Sequence, residues 1–191
     1  EAKVFYVKGD NPSRFAVHLR DYAEQLVDMT DKMEGHCSSA QPDGTAASYE
    51  VGRPCLAVYK EDGYWYRATV KEHDLTNNTF KVEFVDYGNA AEGLTVADVR
   101  PLPEEFSLLP AQAVWCCLAG MEGRDWDTDA CTHWKELTSE EELRARVVEV
   151  SPSGLYEVEL TGSAGTPFTQ HMAPLADPPL EVIDEGGENL D

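Results

Sequence analysis

Apolar and polar residues alternate through much of the chain, and a period of two is typical of β-strands with one buried face. At the start, "KVFYVKGDNPSRFAVHLRD" predicts two strands around the turn-forming residues 9–12. The next stretch, "YAEQLVDMTDKMEG", predicts a helix with Gly35 as its C-terminal stop. Four of its apolar residues recur at helical spacing: Tyr22, Leu26, Met29 and Met33.

Between residues 51 and 102 the pattern changes to short strands separated by tight turns. The turns contain Glu61-Asp62-Gly63, Thr76-Asn77-Asn78 and Gly88-Asn89, which are residue types that favour turns. The predicted strands are residues 55–59, 64–72, 79–86, 90–94 and 98–100. Five short strands in about 50 residues indicate a small barrel, because closure removes exposed sheet edges.

After residue 102 the pattern predicts further β-structure with one helix. Residues 111–118 can form a strand, residues 127–137 can form a helix, and "LRARVVEV" with "LYEVEL" can form a hairpin. "TPFTQHMAPL" predicts a last short strand or a segment that covers the core. The segment 177–191 is acidic and contains prolines, so we expect disorder or a linker there.

The N-terminal hairpin and helix are too small to bury a core alone, so we expect the first segment to pair with the last. The predicted fold class is mainly β with helices, a β-rich α+β protein in which a small barrel is inserted into a second β-rich domain. The expected division is 1–34 for the first part of this outer domain with its helix, 35–50 for a linker, 51–102 for the barrel, 103–176 for the rest of the outer domain, and 177–191 for the tail.

The charge of the chain favours some partners over others. There are 36 acidic and 15 basic residues, which gives a net charge of -21. Direct binding to nucleic acid is not expected, because it depends on clustered Lys and Arg, and cationic partners are favoured instead. No membrane partner is expected either, because no stretch approaches the ~20 apolar residues that a membrane span needs.

The cysteines and histidines give no sign of a cofactor. Cys37, Cys55, Cys116, Cys117 and Cys131 are too few and too irregular for a disulfide scaffold. No C-x-x-C pair is present, and no histidine lies beside the cysteines at zinc-ligand spacing. We expect a reduced, intracellular protein without structural metal or cofactor.

The predicted barrel contains more aromatic residues than its core can hold, since a barrel this small encloses only two or three large side chains. They are Tyr59, Tyr64, Trp65, Tyr66, Phe80, Phe84 and Tyr87. Rings around an open end attract a cation, because ring faces carry negative electrostatic potential. Each ring contributes roughly 0.5–2 kcal/mol to the binding of the cation. Tyr and Phe are also ordinary strand formers, so spacing alone does not separate a binding site from a core.

A methylated guanidinium suits an aromatic site, because arginine methylation keeps the charge and removes hydrogen-bond donors. Such a group needs one polar acceptor beside the rings, and the side-chain oxygen of Asn89 can be that acceptor. Alternation in "KVEFVDYGN", however, places Phe84 and Tyr87 on opposite faces of the strand. A shared site therefore requires the backbone to bend near Tyr87.

The order of several motifs resembles that of a Tudor domain, of the extended type found in germline Tudor proteins. The motifs are "DGYWYRA", "FVDYGN", "VRPLPEEF" and "LPAQA", and they are specific as an ordered set. The resemblance covers about residues 3–176 and is strongest over 51–120. It implies a five-stranded Tudor barrel inserted into an OB-like domain similar to staphylococcal nuclease, which matches the split architecture expected above.

The resemblance also implies a function. Extended Tudor domains bind symmetrically dimethylated arginine in the Arg-Gly or Arg-Ala rich tails of Piwi proteins. It implies a non-catalytic scaffold of the piRNA pathway in cytoplasmic germ granules, with a Piwi tail as partner and with other domains in a longer parent protein. Asp86 is expected to support the site or a neighbouring arginine. The methylarginine-binding residues implied by motif are Tyr59, Tyr66, Phe84, Tyr87 and Asn89.

Two departures from the family pattern concern these residues. Phe84 lacks the hydroxyl that some relatives carry, although a phenyl ring still attracts a cation. The loop "KEDG" after Tyr59 is one residue longer than in some relatives, which could shift the Tyr59 ring.

Two alternatives to this function stay open. One is a Tudor scaffold that binds methyllysine or an unmodified peptide. The other is a metal-dependent nuclease, which needs grouped carboxylates together with arginines. The run Glu140-Glu141-Glu142 is more simply a solvated segment, and Asp127 and His133 show no partner spacing.

Overall fold

In the computed structural model, residues 1–39, 49–139 and 142–176 are described. The central part of the predicted linker (residues 40–48), Glu140, Glu141 and the predicted tail lie outside the described residues. The strands are β1 (Ala2–Asn11), β2 (Arg14–Leu19), β3 (Pro54–Val58), β4 (Trp65–Asp74), β5 (Thr79–Phe84), β6 (Ala90–Leu94), β7 (Val99–Pro101), β8 (Val114–Leu118), β9 (Leu143–Val150) and β10 (Tyr156–Thr161). The α-helices are α1 (Ala23–Ser39), α2 (Thr128–Thr138) and α3 (Phe168–Met172).

The first and last segments of the chain form one closed barrel, the outer barrel, with the strand order β1-β2-β8-β10-β9. The pairing of β8 with β10 is parallel, and the other neighbours are antiparallel. The barrel core includes the buried residues Phe15, Leu118, Trp134 and Leu160. The expectation that the two ends of the chain pair with each other is confirmed.

The insertion forms a second, antiparallel sheet, the inserted sheet, with the order β6-β5-β4-β3-β7. Each of its five strands contributes to one buried cluster, which includes Cys55, Ala68, Phe80, Leu94 and Val99. Because the edge strands β6 and β7 face the same core, the sheet curls around that core. Its hydrogen-bond ladders leave β6 and β7 as the two edges.

Helix α1 covers the outer face of the inserted sheet. Met29 and Met33 pack in a third buried cluster with Leu56 of β3, Trp65 of β4 and Phe106. Side chains alternate between the two faces of β4, and Trp65 lies on the face that packs against the helix. The helix therefore buries this face of the inserted sheet.

The sequence prediction for this helix is wrong at both ends. Tyr22 lies before α1 in a short 3-10 segment and is exposed. Gly35 does not end the helix, which continues to Ser39. The reason is that Cys37, one turn after Met33, extends the buried stripe, and this burial offsets the intrinsic cost of a helical glycine, about 1 kcal/mol.

Several other boundaries differ from the sequence prediction by a few residues. The first turn lies at Pro12 and Ser13, where the Asn11 side chain accepts from the Ser13 amide at 2.9 Å. Strand β5 ends at Phe84, two residues earlier than predicted. The stretch "TPFTQHMAPL" forms α3, which buries Phe168 and Met172 and so covers the core.

The five cysteines are free thiols, and four of them are buried. Within residues 1–39, 49–139 and 142–176, no helix is both long and apolar enough to cross a membrane.

Candidate functional site

The turn after β5 brings Phe84 and Tyr87 to the same side of the inserted sheet. The Phe84 carbonyl accepts from the amides of Tyr87 at 3.3 Å and Gly88 at 2.7 Å, which closes a tight turn directly after the strand. Gly88 has a φ of 73°, a conformation that favours glycine. The backbone therefore bends where a shared site requires it, and strict alternation ends at Phe84.

Four aromatic rings surround one cavity, and we call this group the cage. The Tyr59 and Phe84 ring centroids are 5.5 Å apart, Tyr66 and Phe84 are 5.9 Å apart, and Tyr66 and Tyr87 are 5.2 Å apart. The interplanar angles are 81°, 80° and 78°, so each ring stands nearly perpendicular to its neighbour. The longer loop after Tyr59 thus leaves that ring within the group.

The cavity has a volume of about 270 Å³. Phe84 is only 1% exposed and lies at its bottom, where a hydroxyl would need a buried partner. The residues that line the cavity are Val7, Lys8, Tyr59, Asp62, Tyr66, Phe84, Tyr87 and Asn89.

Asn89 supplies an acceptor that no other described residue uses. Its Oδ1 atom is buried and has no hydrogen-bond partner among the described residues. Its main-chain carbonyl accepts from the Phe84 amide at 2.8 Å, which fixes the backbone of the residue. A buried acceptor without a partner is energetically unfavourable unless a ligand donates to it.

The pKa values of the three cage phenols are raised above their ordinary value of 10.0. For Tyr66 the cause is mainly burial, followed by its hydrogen bond to the Asp62 carboxylate. Burial also raises the pKa of Tyr87, while a hydrogen bond with Thr30 of α1 acts in the opposite direction. The pKa of Tyr59 is raised first by a hydrogen bond to Glu61.

The buried Asp86 side chain connects the turn to distant parts of the chain. Both of its oxygens accept from the Arg67 guanidinium, at 2.9 Å from Nε and 2.6 Å from Nη2. The Gln112 amide donates to Asp86 Oδ1 at 2.9 Å. Both charged side chains are buried, so this bidentate pair is of the strong, geometrically specific kind.

Arg67 also connects the inserted sheet to the segment that leads back to the outer barrel. Its guanidinium donates to the carbonyl oxygens of Phe106 at 2.9 Å, Pro110 at 3.0 Å and Leu109. Asp86 was expected to support the site or a neighbouring arginine, and the structure places it on Arg67 rather than in the cavity.

The outer barrel contacts the same turn from the other side. Lys8 of β1 donates to the Gly88 carbonyl at 3.2 Å, and His18 of β2 hydrogen-bonds the Asp86 carbonyl. Trp115 of β8 lies so close that a Cβ atom on Gly88 would be 2.4 Å from its Cζ2. The turn that carries Tyr87 and Asn89 is therefore held between the two β units.

Sequence reasoning missed several residues of this site. Val7 and Lys8 come from the outer barrel, and nothing in their local sequence indicates a place beside the cage. Asp62 was recognised only as a turn residue. The signal that could have found it is the acidic turn "EDG", whose Asp62 lies four residues before Tyr66 on the loop between two cage residues.

The residues considered for catalysis do not line the cavity, and they have partners elsewhere. The Asp127 side chain accepts from the Ala130 amide at 2.7 Å as the N-cap of α2, and His133 lies 3.6 Å from Glu136. Glu142 pairs with Lys3 at 3.7 Å and with Arg20 at 3.4 Å. The described residues contain no group of three or more His, Cys, Asp or Glu side chains that could hold a metal ion.

Comparison with known proteins identifies relatives of the chain. The sequence model of the Tudor domain family matches residues 1–120. Human Tudor domain-containing protein 1 is 39% identical over 155 residues, which are 79% of this chain and 13% of that protein. The chain therefore spans about an eighth of the length of this relative.

Two solved structures show the same fold. The extended Tudor domain TD3 from mouse TDRD1, in complex with a MILI peptide containing dimethylarginine, is 30% identical with a TM-score of 0.79, and the match covers 92% of this chain and 91% of that chain. A substituted Drosophila Papi extended Tudor domain, in complex with a Piwi N-terminal peptide dimethylated on arginine, is 26% identical with a TM-score of 0.71, over 93% and 98% of the two chains. The chain therefore belongs to the Tudor domain family, and its fold is that of an extended Tudor domain.

Proposed function

We propose that the chain is a non-catalytic reader of symmetrically dimethylated arginine in the Arg-Gly or Arg-Ala rich tails of Piwi proteins. The observation that carries the proposal is the cage itself. Four rings at nearly right angles surround about 270 Å³, and one buried oxygen, Asn89 Oδ1, has no partner among the described residues. This combination suits a cation that is mostly apolar and has one N–H to donate.

The chemistry of the ligand explains the preference for the symmetric form. In symmetric dimethylarginine each terminal nitrogen carries one methyl group and one N–H, so methyl groups can face rings while one N–H faces Asn89. In the asymmetric form one nitrogen carries both methyl groups and no N–H. Its other nitrogen, like those of unmodified arginine, has a second N–H that would lie against rings without an acceptor.

The solved relatives support the coarser part of this proposal. The mouse TDRD1 and Drosophila Papi domains are described in complex with dimethylarginine peptides. The acidic balance of this chain, a net charge of -21, also suits an arginine-rich tail. A scaffold role in the piRNA pathway and in cytoplasmic germ granules, within a longer parent protein, is part of the same proposal.

Calorimetric titration of one Arg-Gly peptide in four forms tests the proposal. The central residue is unmodified arginine, asymmetric dimethylarginine, symmetric dimethylarginine or trimethyllysine. We expect the symmetric form to bind most tightly. We also expect Tyr66→Ala to weaken binding by roughly tenfold or more, because one ring of a desolvated cation site is lost.

Tyr64→Ala is the matched control for that variant. Tyr64 precedes Trp65 and is half-exposed, and it does not line the cavity, so its removal should leave the affinity unchanged. Equal affinity for the modified and unmodified peptides would overturn the proposal, and so would wild-type affinity in Tyr66→Ala.

A second candidate function is the binding of an unmodified peptide. It is favoured by one observation, since the substituted Papi domain has also been solved with the unmethylated Piwi peptide, at 25% identity and a TM-score of 0.71 to this chain. The four-peptide titration separates the two functions directly.

A further inference from the structure

Lys8 places a positive charge on the rim of a cavity that is itself suited to a cation. The side chain is exposed and lines the cavity together with the cage rings. Its Nζ atom donates to the Gly88 carbonyl at 3.2 Å, so the charge lies beside the turn that carries Tyr87 and Asn89. A positive charge at this place opposes the binding of the methylarginine itself. Any favourable contact that Lys8 makes with a peptide is therefore with another residue of that peptide.

A second cation, Arg14, adjoins the same turn on the outer face of the outer barrel. Ala16 of β2 pairs with Lys8 of β1 and with Trp115 of β8, so these three residues form one row across the barrel. Arg14 precedes Ala16 by two residues and lies on the same face, and its guanidinium carbon is 4.5 Å from the centre of the Trp115 ring. Because Trp115 lies directly against Gly88, Arg14 and Lys8 both lie beside this turn.

Neither Lys8 nor Arg14 forms an ion pair with a carboxylate among the described residues, although the chain has a net charge of -21. Most of the other lysines and arginines do form such pairs: Lys3, Arg20, Lys60, Arg67, Lys71, Lys81, Lys135, Arg144 and Arg146. Lys8 and Arg14 thus present two exposed positive charges next to the cage, where an acidic group of a partner can pair with them.

The negative charge of the rim belongs to a different element. Asp62 lines the cavity from the loop between β3 and β4, and its Oδ2 atom accepts from the Tyr66 hydroxyl at 2.9 Å. Lys8 instead contacts the turn after β5. The charge on the rim therefore changes sign between the loop and the turn. A peptide whose central side chain enters the cage leaves it in two directions, so the residues before and after that side chain meet different charges.

We propose that Lys8 and Arg14 form a subsite for an acidic side chain on one side of the methylarginine. The inference rests on the proposed function and extends it, because it names a second feature of the preferred peptide and sets the direction in which the peptide crosses the site. In an arginine-rich tail, the subsite favours a methylarginine with Asp or Glu on that side. It disfavours a methylarginine with another arginine there, since like charges repel.

Two pairs of isomeric peptides test the proposal by calorimetry. Each peptide contains one symmetric dimethylarginine and one glutamate among glycines and alanines. In the first pair the glutamate comes directly before or directly after the methylarginine, and in the second pair it is one residue further away. The members of a pair have the same net charge, so the long-range field of the acidic chain acts on both alike. We expect a roughly three- to tenfold difference in affinity within at least one pair, the size of one or two exposed charge pairs.

Charge-reversal variants show whether the subsite causes this difference. Lys8→Glu alone should reduce it, and Lys8→Glu combined with Arg14→Glu should abolish or reverse it, because carboxylates then replace both cations. Lys32→Glu combined with Arg53→Glu is the matched control. Lys32 and Arg53 are also exposed, form no ion pair among the described residues and do not line the cavity, so this variant should keep the wild-type difference.

The outcomes separate this inference from the proposed function. Equal affinity within both pairs would overturn the inference, and so would a difference that both Lys8 variants leave unchanged or that the control variant also removes. The proposed function stands in each of these cases if the symmetric dimethylarginine peptides bind more tightly than the same peptides with unmodified arginine. Equal affinity for the modified and unmodified peptides would overturn the proposed function and, with it, the inference.

Discussion

Each of the two turns that flank strand β5 contains an aspartate at or near its start, Asp74 or Asp86, but the two carboxylates have different hydrogen-bond partners. In the turn after β4, the Asp74 carboxylate accepts from the amides of Thr76 at 2.8 Å and Asn77 at 3.1 Å, and from the Asn77 side chain at 2.7 Å. In the turn after β5, the Asp86 carboxylate accepts instead from Arg67 and from the Gln112 amide, which are 19 and 26 residues away.

This difference shows how a turn becomes available for binding. The Asp74 carboxylate of the first turn accepts hydrogen bonds from within its own turn. The second turn is held from outside by Arg67, Gln112 and Trp115, so its own residues Tyr87 and Asn89 are left for the cavity. External anchoring of the Asp86 side chain thus adds to the local main-chain hydrogen bonds where the turn carries the site.

The largest expected difference between the turns is in stability. Asp86→Ala leaves Arg67 buried without its partner, so we expect the free energy of unfolding to fall by about 3–5 kcal/mol. Asp74→Ala, the matched change at the exposed turn, should cost much less, because its partners can hydrogen-bond to water. Urea unfolding of the two variants measures the difference, and equal losses would contradict the comparison.

Two glycines give a second test, Gly88 in the turn after β5 and Gly93 within strand β6. Gly88 and Gly93 have φ values of 73° and 68°, so alanine at either position costs about 1–2 kcal/mol from the left-handed backbone. Only at Gly88 would the added Cβ meet Trp115, whereas nothing lies within 4 Å at Gly93. We therefore expect Gly88→Ala to displace Tyr87 and Asn89 and to weaken peptide binding by roughly tenfold, the cost of one lost hydrogen bond to a charged group.

Calorimetry with the symmetric dimethylarginine peptide measures this effect. Gly93→Ala should keep wild-type affinity. The Trp115 contact is shown to be the cause if Gly88→Ala combined with Trp115→Ala binds more tightly than Gly88→Ala alone. No difference between the two glycine variants would mean that Trp115 does not position the turn.

The smallest expected effect is a difference in pH dependence between the two ends of β4. The pKa of Tyr66 is raised above its ordinary value of 10.0, chiefly by burial, so its contribution to stability is present below pH 10 and is lost as the pH rises further. The pKa of Asp74 is lowered from its ordinary value of 3.8 by hydrogen bonds from Asn77. Its contribution is present above that pH and is lost as the pH falls through the folded value.

Urea unfolding between about pH 9 and pH 11, compared with Tyr66→Phe, isolates the alkaline effect from other titrations. The wild type should lose more stability than the variant over this interval. The same experiment between about pH 5 and pH 2 with Asp74→Asn isolates the acidic effect. Parallel curves for wild type and variant at either end would contradict the assigned cause.

The sequence was sufficient to predict most of the strands and helices. Alternation and turn chemistry located the strands of the inserted sheet, because each of them buries one face in a single core. The motif resemblance named Tyr59, Tyr66, Phe84 and Tyr87, and the structure brings their rings around one cavity. Pairing of the first and last segments followed from their size alone.

What the sequence could not predict depends on contacts between distant residues. The early end of β5 follows from the external hold on Asp86, which lies far from Arg67 along the chain. The place of Lys8 beside the cage depends on how the outer barrel meets the inserted sheet. The continuation of α1 past Gly35 depends on the burial of Cys37 against that sheet.

One measurement tests the central claim, that the externally held turn leaves the Asn89 Oδ1 atom available to a ligand. Each turn contains one comparable residue, since Asn89 has an unpartnered buried Oδ1 among the described residues and Asn77 donates to Asp74 within its own turn. The symmetric dimethylarginine peptide is titrated calorimetrically into Asn89→Ala and Asn77→Ala. We expect the affinity of Asn89→Ala to fall by roughly tenfold or more, because a hydrogen bond to a charged group is lost. Asn77→Ala should keep the wild-type affinity. Wild-type affinity in Asn89→Ala would contradict the claim.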